Sequence, residues 1–391
     1  MITRRTLLQS GTAALALASA GSALVQAGGA LAQEATGEPI FLGVSGPLTG
    51  PNAQYGAQWK QGFDLALDQI NSSGGIKGRP LRYIFEDTQS DPKQTVAVAQ
   101  KFVADKRIVA ELGDFSSPAS MAASPIYQRA GLLQFGLTNS HPDFTKTGDF
   151  IWSNSVSQAD EQPLNAAYAV KRIGFKRIAV LHLNTDWGRT SKDHFVAAAK
   201  ALGAEIVATE GYLPEEKDFR STLVRVRDAN PDGLFLVSYY ADAALIARQT
   251  RQTGLTVPIA ATSSIYSPKL IELGGDAAEG IFTASRFFPE DPRPEVQNFV
   301  TSFKAKYGKE PDAFNSYAYD TVILFGQVLR EAPNYERKTI RDTLASIKDV
   351  PSVIYGKASF DTQTRRVLGA RNAELIVKGG RFQLWDGKAI N

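Results

Sequence analysis

The residues with the clearest chemical potential lie in Gly113-Asp114-Phe115-Ser116-Ser117-Pro118-Ala119-Ser120. An apolar run, Ile108 to Leu112, precedes them, and a stretch of small residues, Met121 to Gln128, follows. The segment therefore reads as the turn from a strand into a helix. Ser116 or Ser117 suits the helix cap, and Pro118 suits the first helical position, where no N–H is needed. A glycine turn, two hydroxyls and an open helix N-terminus make a place for one small anion, such as a ligand carboxylate. An ordinary capped turn uses the same residue types, so the remainder of the chain has to separate the two readings.

Catalytic constellations are missing from the sequence. Gly43-Val44-Ser45-Gly46-Pro47 fails the G-x-S-x-G nucleophile elbow at its last position. No glycine-rich run ends in Gly-Lys-Ser/Thr, which removes a P-loop. His141 precedes a proline in a loop, His182 lies in a strand and His194 in mid-helix, and none has metal-ligand spacing to a partner. The 391 residues contain no cysteine, which removes disulfides, thiolate metal sites and cysteine nucleophiles. We therefore expect a non-enzyme with no cofactor and no metal. Hydrophobic residues make up 43% and charged residues 21%, an ordinary globular balance with length enough for two domains. Net charge is +3, and two of the cations, Arg4 and Arg5, lie at the extreme N-terminus. That is no footprint for nucleic acid.

Residues 1–32 read as an export signal. Thr3-Arg4-Arg5-Thr6-Leu7-Leu8 is a twin-arginine pattern, Leu15 to Val25 is apolar, and Ala30-Leu31-Ala32 offers a cleavage site. Ser19, Gly21 and Ser22 interrupt the apolar run, which argues against a retained anchor. The mature chain is expected in the periplasm. Beyond the signal, strands and helices alternate. Strands are expected at 39–44, 81–86, 108–112, 132–135, 177–183, 206–210, 234–237, 259–261 and 281–284, with a closing hairpin over 373–385. This is the rhythm of parallel α/β sheets, in which ligands bind at the carboxyl ends of the strands. The loops at those ends are 45–56, 113–118, 136–142, 184–188, 238–242 and 262–266. They carry Tyr55, Phe115, Trp187, Tyr239, Tyr240 and Tyr266 among Ser, Thr and Asn, a composition suited to a cleft with aromatic walls and hydroxyl donors.

From Ile40 to about Gly387 the sequence resembles the type I periplasmic binding proteins of ABC transporters, most closely the leucine/isoleucine/valine-binding branch. The most specific segments are Gly43 to Gly50, Asp68 to Arg79, Asp87 with Asp91-Pro92-Lys93-Gln94, Gly113 to Ser117, Lys217-Asp218-Phe219 and Gly274 to Gly280. The resemblance implies two doubly wound α/β lobes joined by a three-crossing hinge, 38–157 plus 286–361 and 158–285 plus 362–391. It implies a monomer that closes on a small-molecule ligand and delivers it to ABC permease subunits. It also implies roles for single residues. Tyr55 supplies an aromatic wall, Ser117 and Thr138 bind a carboxylate, Trp187 closes over the ligand, and Tyr239 lines the cleft.

One position departs from the pattern. Amino-acid binders of this family place an acid after the strand at Ile259 to take the ligand ammonium, and Ser263 stands there instead. Asp114, Asp242 or Asp160 can replace that acid. Otherwise the ligand lacks an amine and is an aromatic or other small carboxylic acid, or an amide. A hydrophobic, branched-chain amino acid is the first expectation. A periplasmic ligand sensor built on the same fold is the rival class.

Overall fold

The structure is a computed structural model that describes residues 35–369 and 372–387. The expected export signal falls outside these residues. Two seven-stranded sheets organise the chain. The first holds β1 (Ile40–Gly46), β2 (Leu81–Asp87), β3 (Ile108–Gly113), β4 (Leu133–Gly136) and β5 (Ile151–Ser153). The second holds β6 (Arg177–Leu183), β7 (Glu205–Tyr212), β8 (Gly233–Val237), β9 (Ile259–Ala261) and β10 (Phe282–Ser285). After a small ribbon, β11 (Val350–Ser352) with β12 (Gly356–Ala358), come β13 (Phe360–Asp361) and β14 (Arg366–Val367), which return to the first sheet. β15 (Ala373–Lys378) and β16 (Arg381–Leu384) complete the second as the expected hairpin.

The sheets repeat one topology. Their orders are β13-β14-β5-β4-β3-β1-β2 and β16-β15-β10-β9-β8-β6-β7. Strands β1 and β6 are each flanked by parallel partners on both sides. The strand order therefore reverses beside β1 and beside β6, and a crevice opens at the carboxyl ends there. Burial explains the sequence of these strands. Every residue of β3, β4 and β8 is buried, so they read as largely apolar runs, interrupted by Glu111 in β3 and Gln134 in β4.

The chain stays with the first sheet past residue 361. Asp361 ends β13, and its carboxylate accepts from the backbone N–H groups of Gln363 and Thr364. This tight turn sends the chain back along the same sheet edge, where Arg366 pairs with Ser153 of β5. The chain therefore leaves the first sheet after Val367. Arg366 is buried, and its guanidinium donates to the carbonyls of Asn139, Ser155 and His141. It ties the loop after β4 to the first crossing.

The chain returns to the first sheet after β10 through three helices. One of them, Ala313–Glu331, lies against the helix Ala53–Ser72. Gly62 permits that approach, since a Cβ there would sit 2.2 Å from the Asn315 carbonyl oxygen. The Asn315 side chain donates to the Gln58 carbonyl at 2.8 Å across the same contact. Among the described residues, no helix is long and apolar enough to cross a membrane.

Candidate ligand-binding cleft

The turn after β3 is built around a close backbone approach. Gly113 has φ +128°, and a Cβ there would lie 2.0 Å from the Ser45 carbonyl oxygen of the neighbouring strand. Only glycine fits. The next residue, Asp114, is fully buried. Its carboxylate accepts from the Thr88 hydroxyl, from Ser90 Oγ at 2.7 Å and from the Ser116 N–H at 3.0 Å. Asp114 is therefore a staple that joins two loops from within. This corrects its assignment as the acid for a ligand amine, because its oxygens are already committed to the protein.

That staple orients the helix Ser117–Ala130. Ser116 occupies the cap position, but its side chain makes no capping bond, and Pro118 has no N–H to satisfy. The first turn thus keeps unfilled donor capacity at its positive end. Ser117, 2% exposed, lines a cavity beside this turn. Thr138, from the loop after β4, lines the same cavity, and its buried Oγ1 has no hydrogen-bond partner. Asn139 holds this loop to the preceding one by donating to Ser120 Oγ at 2.9 Å, and Ser120 Oγ also accepts from the Asp114 N–H.

Rings close the cavity from both sheets. Phe115 packs on Tyr239 at 5.0 Å, and Tyr239 stacks on Trp187 at 5.0 Å and 22°. Trp187 sits in the first turn of the helix Asp186–Ala201, which Thr185 caps, rather than in a free loop. Its Nε1 donates to Ser140 Oγ of the opposite sheet's loop at 3.1 Å. Tyr55 is displaced from its expected place. It is fully buried, stacked at 3.8 Å behind Phe115, and its hydroxyl donates to the Ser264 carbonyl across the cleft. Phe115 takes the wall position because the ring of Tyr55 is held below it.

Ser263 lines the cavity, and its partner is a residue the sequence did not single out. Ser263 Oγ donates to Glu161 Oε1 at 3.0 Å, and Arg286 Nη1 donates to the same oxygen at 3.1 Å. The Arg286 and Glu161 side chains are 4% and 9% exposed, and both line the cavity. Burial opposes the arginine's charge more than any one neighbour supports it, but Glu161 together with the Tyr317 and Tyr355 hydroxyls holds the guanidinium above the usual arginine range. Arg286 Nε and Nη2 have no partner of hydrogen-bonding geometry, although the Tyr317 hydroxyl lies near enough to support the charge. Each partner flanks a crossing between the sheets. Glu161 is in the first turn of the helix Gln158–Ala167, capped by Ser157, and Arg286 follows β10 directly. In the sequence the pair shows only as one of two adjacent acids and a single cation, each just past a crossing. The other two candidate acids are placed elsewhere. Asp242 pairs with Lys217 at 3.0 Å, and Asp160 lines a separate groove. Among the described residues, no cluster of three or more acidic or histidine side chains is arranged to hold a metal.

The sequence profile of the periplasmic binding protein family matches residues 39–373. A Leu/Ile/Val-binding protein homolog of Brucella abortus is 29% identical over 325 residues, covering 82% of this chain and 86% of its own. A putative branched-chain amino acid ABC transporter protein from Rhodospirillum rubrum is 35% identical, covers 89% of this chain and 100% of its own, and superposes with a TM-score of 0.66. The branched-chain amino acid substrate-binding protein of Streptococcus pneumoniae, solved with isoleucine, shares 24% identity, covers 88% and 98% of the two chains, and gives a TM-score of 0.83. The chain, with its two matched doubly wound sheets, belongs to the periplasmic binding protein family, in the Leu/Ile/Val-binding branch with the type I fold.

Proposed function

We propose that this chain is the periplasmic substrate-binding component of an ABC importer. In this reading it captures a small carboxylate-bearing ligand between its lobes and delivers it to permease subunits. It acts as a monomer, without cofactor or catalysis, after export directed by residues 1–32. The lobes we assign are 38–157 plus 286–367, and 158–285 plus the remainder. The observation that carries the reading is the meeting of the Ser117 hydroxyl and the unpartnered Thr138 hydroxyl in one ring-walled cavity. A carboxylate satisfies both hydroxyls and the open helix end.

A hydrophobic amino acid is the first ligand class, supported by the similarity to Leu/Ile/Val-binding proteins. An aromatic or other small carboxylic acid is the second. The Phe115–Tyr239–Trp187 stack favours it, as does the fact that Glu161 already has a cationic partner. Thermal-shift screening with branched-chain amino acids, aromatic acids and short amides tests the proposal. A true ligand at a hundred times its Kd stabilises the protein by about 2.7 kcal/mol. Absence of a shift with every carboxylate would overturn it.

A further inference from the structure

The Glu161–Arg286 pair leaves a specific demand on whatever fills the cavity. Arg286 is more than nine-tenths buried and lines the cavity, and apart from the nearby Tyr317 hydroxyl, Nε and Nη2 find no partner of proper geometry. A guanidinium N–H shut away from water needs an acceptor. Glu161 makes the converse demand. Ser263 and Arg286 both donate to Oε1, which leaves Oε2 to receive a donor. The pair is neutral as a unit and is held rigidly on both sides. Ser285 Oγ accepts from the Phe287 N–H and donates to the Phe287 carbonyl, which fixes the backbone on either side of Arg286. On the other side, the Glu161 N–H donates to the Ser157 carbonyl at 2.8 Å.

Three kinds of ligand group can be weighed against this arrangement. An ammonium donates to Glu161 but offers nothing to the arginine and stands against its charge. A second carboxylate accepts from Arg286 but is repelled by Glu161. A neutral group that both donates and accepts satisfies the two at once. We propose that Glu161 and Arg286 form a second polar subsite, which selects small carboxylates bearing a neutral hydroxyl or carboxamide over those bearing an amine at the same place. The inference rests on the carboxylate reading above and divides its two ligand classes.

Two probe pairs test it by calorimetric titration of the purified chain: 2-hydroxy-4-methylpentanoate against leucine, and 4-hydroxybenzoate against benzoate. At least one hydroxy acid is expected to bind tenfold or more tightly than its partner. Arg286→Met should collapse that ratio towards one. Because Arg286→Met strands a buried carboxylate, the double variant Glu161→Gln/Arg286→Met, which neutralises both groups together, is measured beside it. The subsite is overturned if neither hydroxy acid is preferred, or if the preference survives in the variants. If none of the four probes binds, the carboxylate reading fails first and takes the subsite with it.

Discussion

The two polar regions of the cavity handle burial in opposite ways. Around Ser117 and Thr138 the groups are neutral, short-range and partly unsatisfied. The loop beneath them is closed by the buried Asp114 staple and by Asn139 on Ser120. At Glu161 and Arg286 two full charges are buried against each other, joined across 125 residues of sequence. Neutral hydroxyls next to a helix end tolerate being empty, since each unmade bond costs only about 1–3 kcal/mol. A buried charge does not tolerate losing its partner. In the proposed function the first region is an anchor that can empty and refill. The second is a structural joint between the crossings, and both of its residues line the cavity.

The largest effect should come from breaking the joint. Arg286→Met leaves Glu161 buried and unpaired, and should cost about 3–5 kcal/mol in urea unfolding. A loss below about 1 kcal/mol would show that the pair is not a joint.

A pH-dependent effect of a few kcal/mol is expected under the anchor. Burial above all, aided by the Asp114 charge, pushes the Glu111 carboxyl up to about 8. Its Oε1 accepts from Ser45 Oγ at 2.6 Å. Between the ordinary value of 4.5 and about 8, the folded state holds a proton that the unfolded chain releases. Stability should therefore fall as pH rises through that window. Glu111→Gln should remove this part of the decline in unfolding measured at pH 5 and pH 8. An unchanged slope would contradict the buried, protonated state.

The smallest effect on the fold sharpens the contrast most. Thr138→Val replaces an unpartnered buried hydroxyl with a methyl of the same shape, so the ligand-free protein should be as stable or slightly more stable. Affinity for the carboxylate ligand should nonetheless fall by about 1–3 kcal/mol. A stability loss without an affinity loss would make Thr138 structural.

How much of this was legible in the sequence follows the same division. Local patterns carried the α/β alternation, the closing hairpin and the anchor turn, because a strand, a glycine and a capped helix are encoded within a few residues. Ser117, Thr138, Trp187, Tyr239 and Ser263 were found as loop residues, and all line the cavity. Tyr55 and Asp114 stood in the right loops but turned inward, since which of two neighbouring side chains faces the cleft depends on packing from other elements. Phe115 and Tyr55 exchanged places for that reason, one stacked beneath the other. The Arg366 edge strand was missed because two residues carry no periodicity. The Glu161–Arg286 pair was invisible because neither partner belongs to a motif. Only the two crossings bring them together.

The central claim is that the cavity holds a carboxylate at Ser117 and Thr138. The most direct measurement is calorimetric titration of the tightest-binding acid against its own primary carboxamide, which keeps nearly the same shape and removes the charge. A charge-assisted hydrogen-bonding site contributes about 1.5–3 kcal/mol, so the carboxamide should bind at least tenfold more weakly. Equal affinity for acid and carboxamide would contradict a carboxylate held at Ser117 and Thr138.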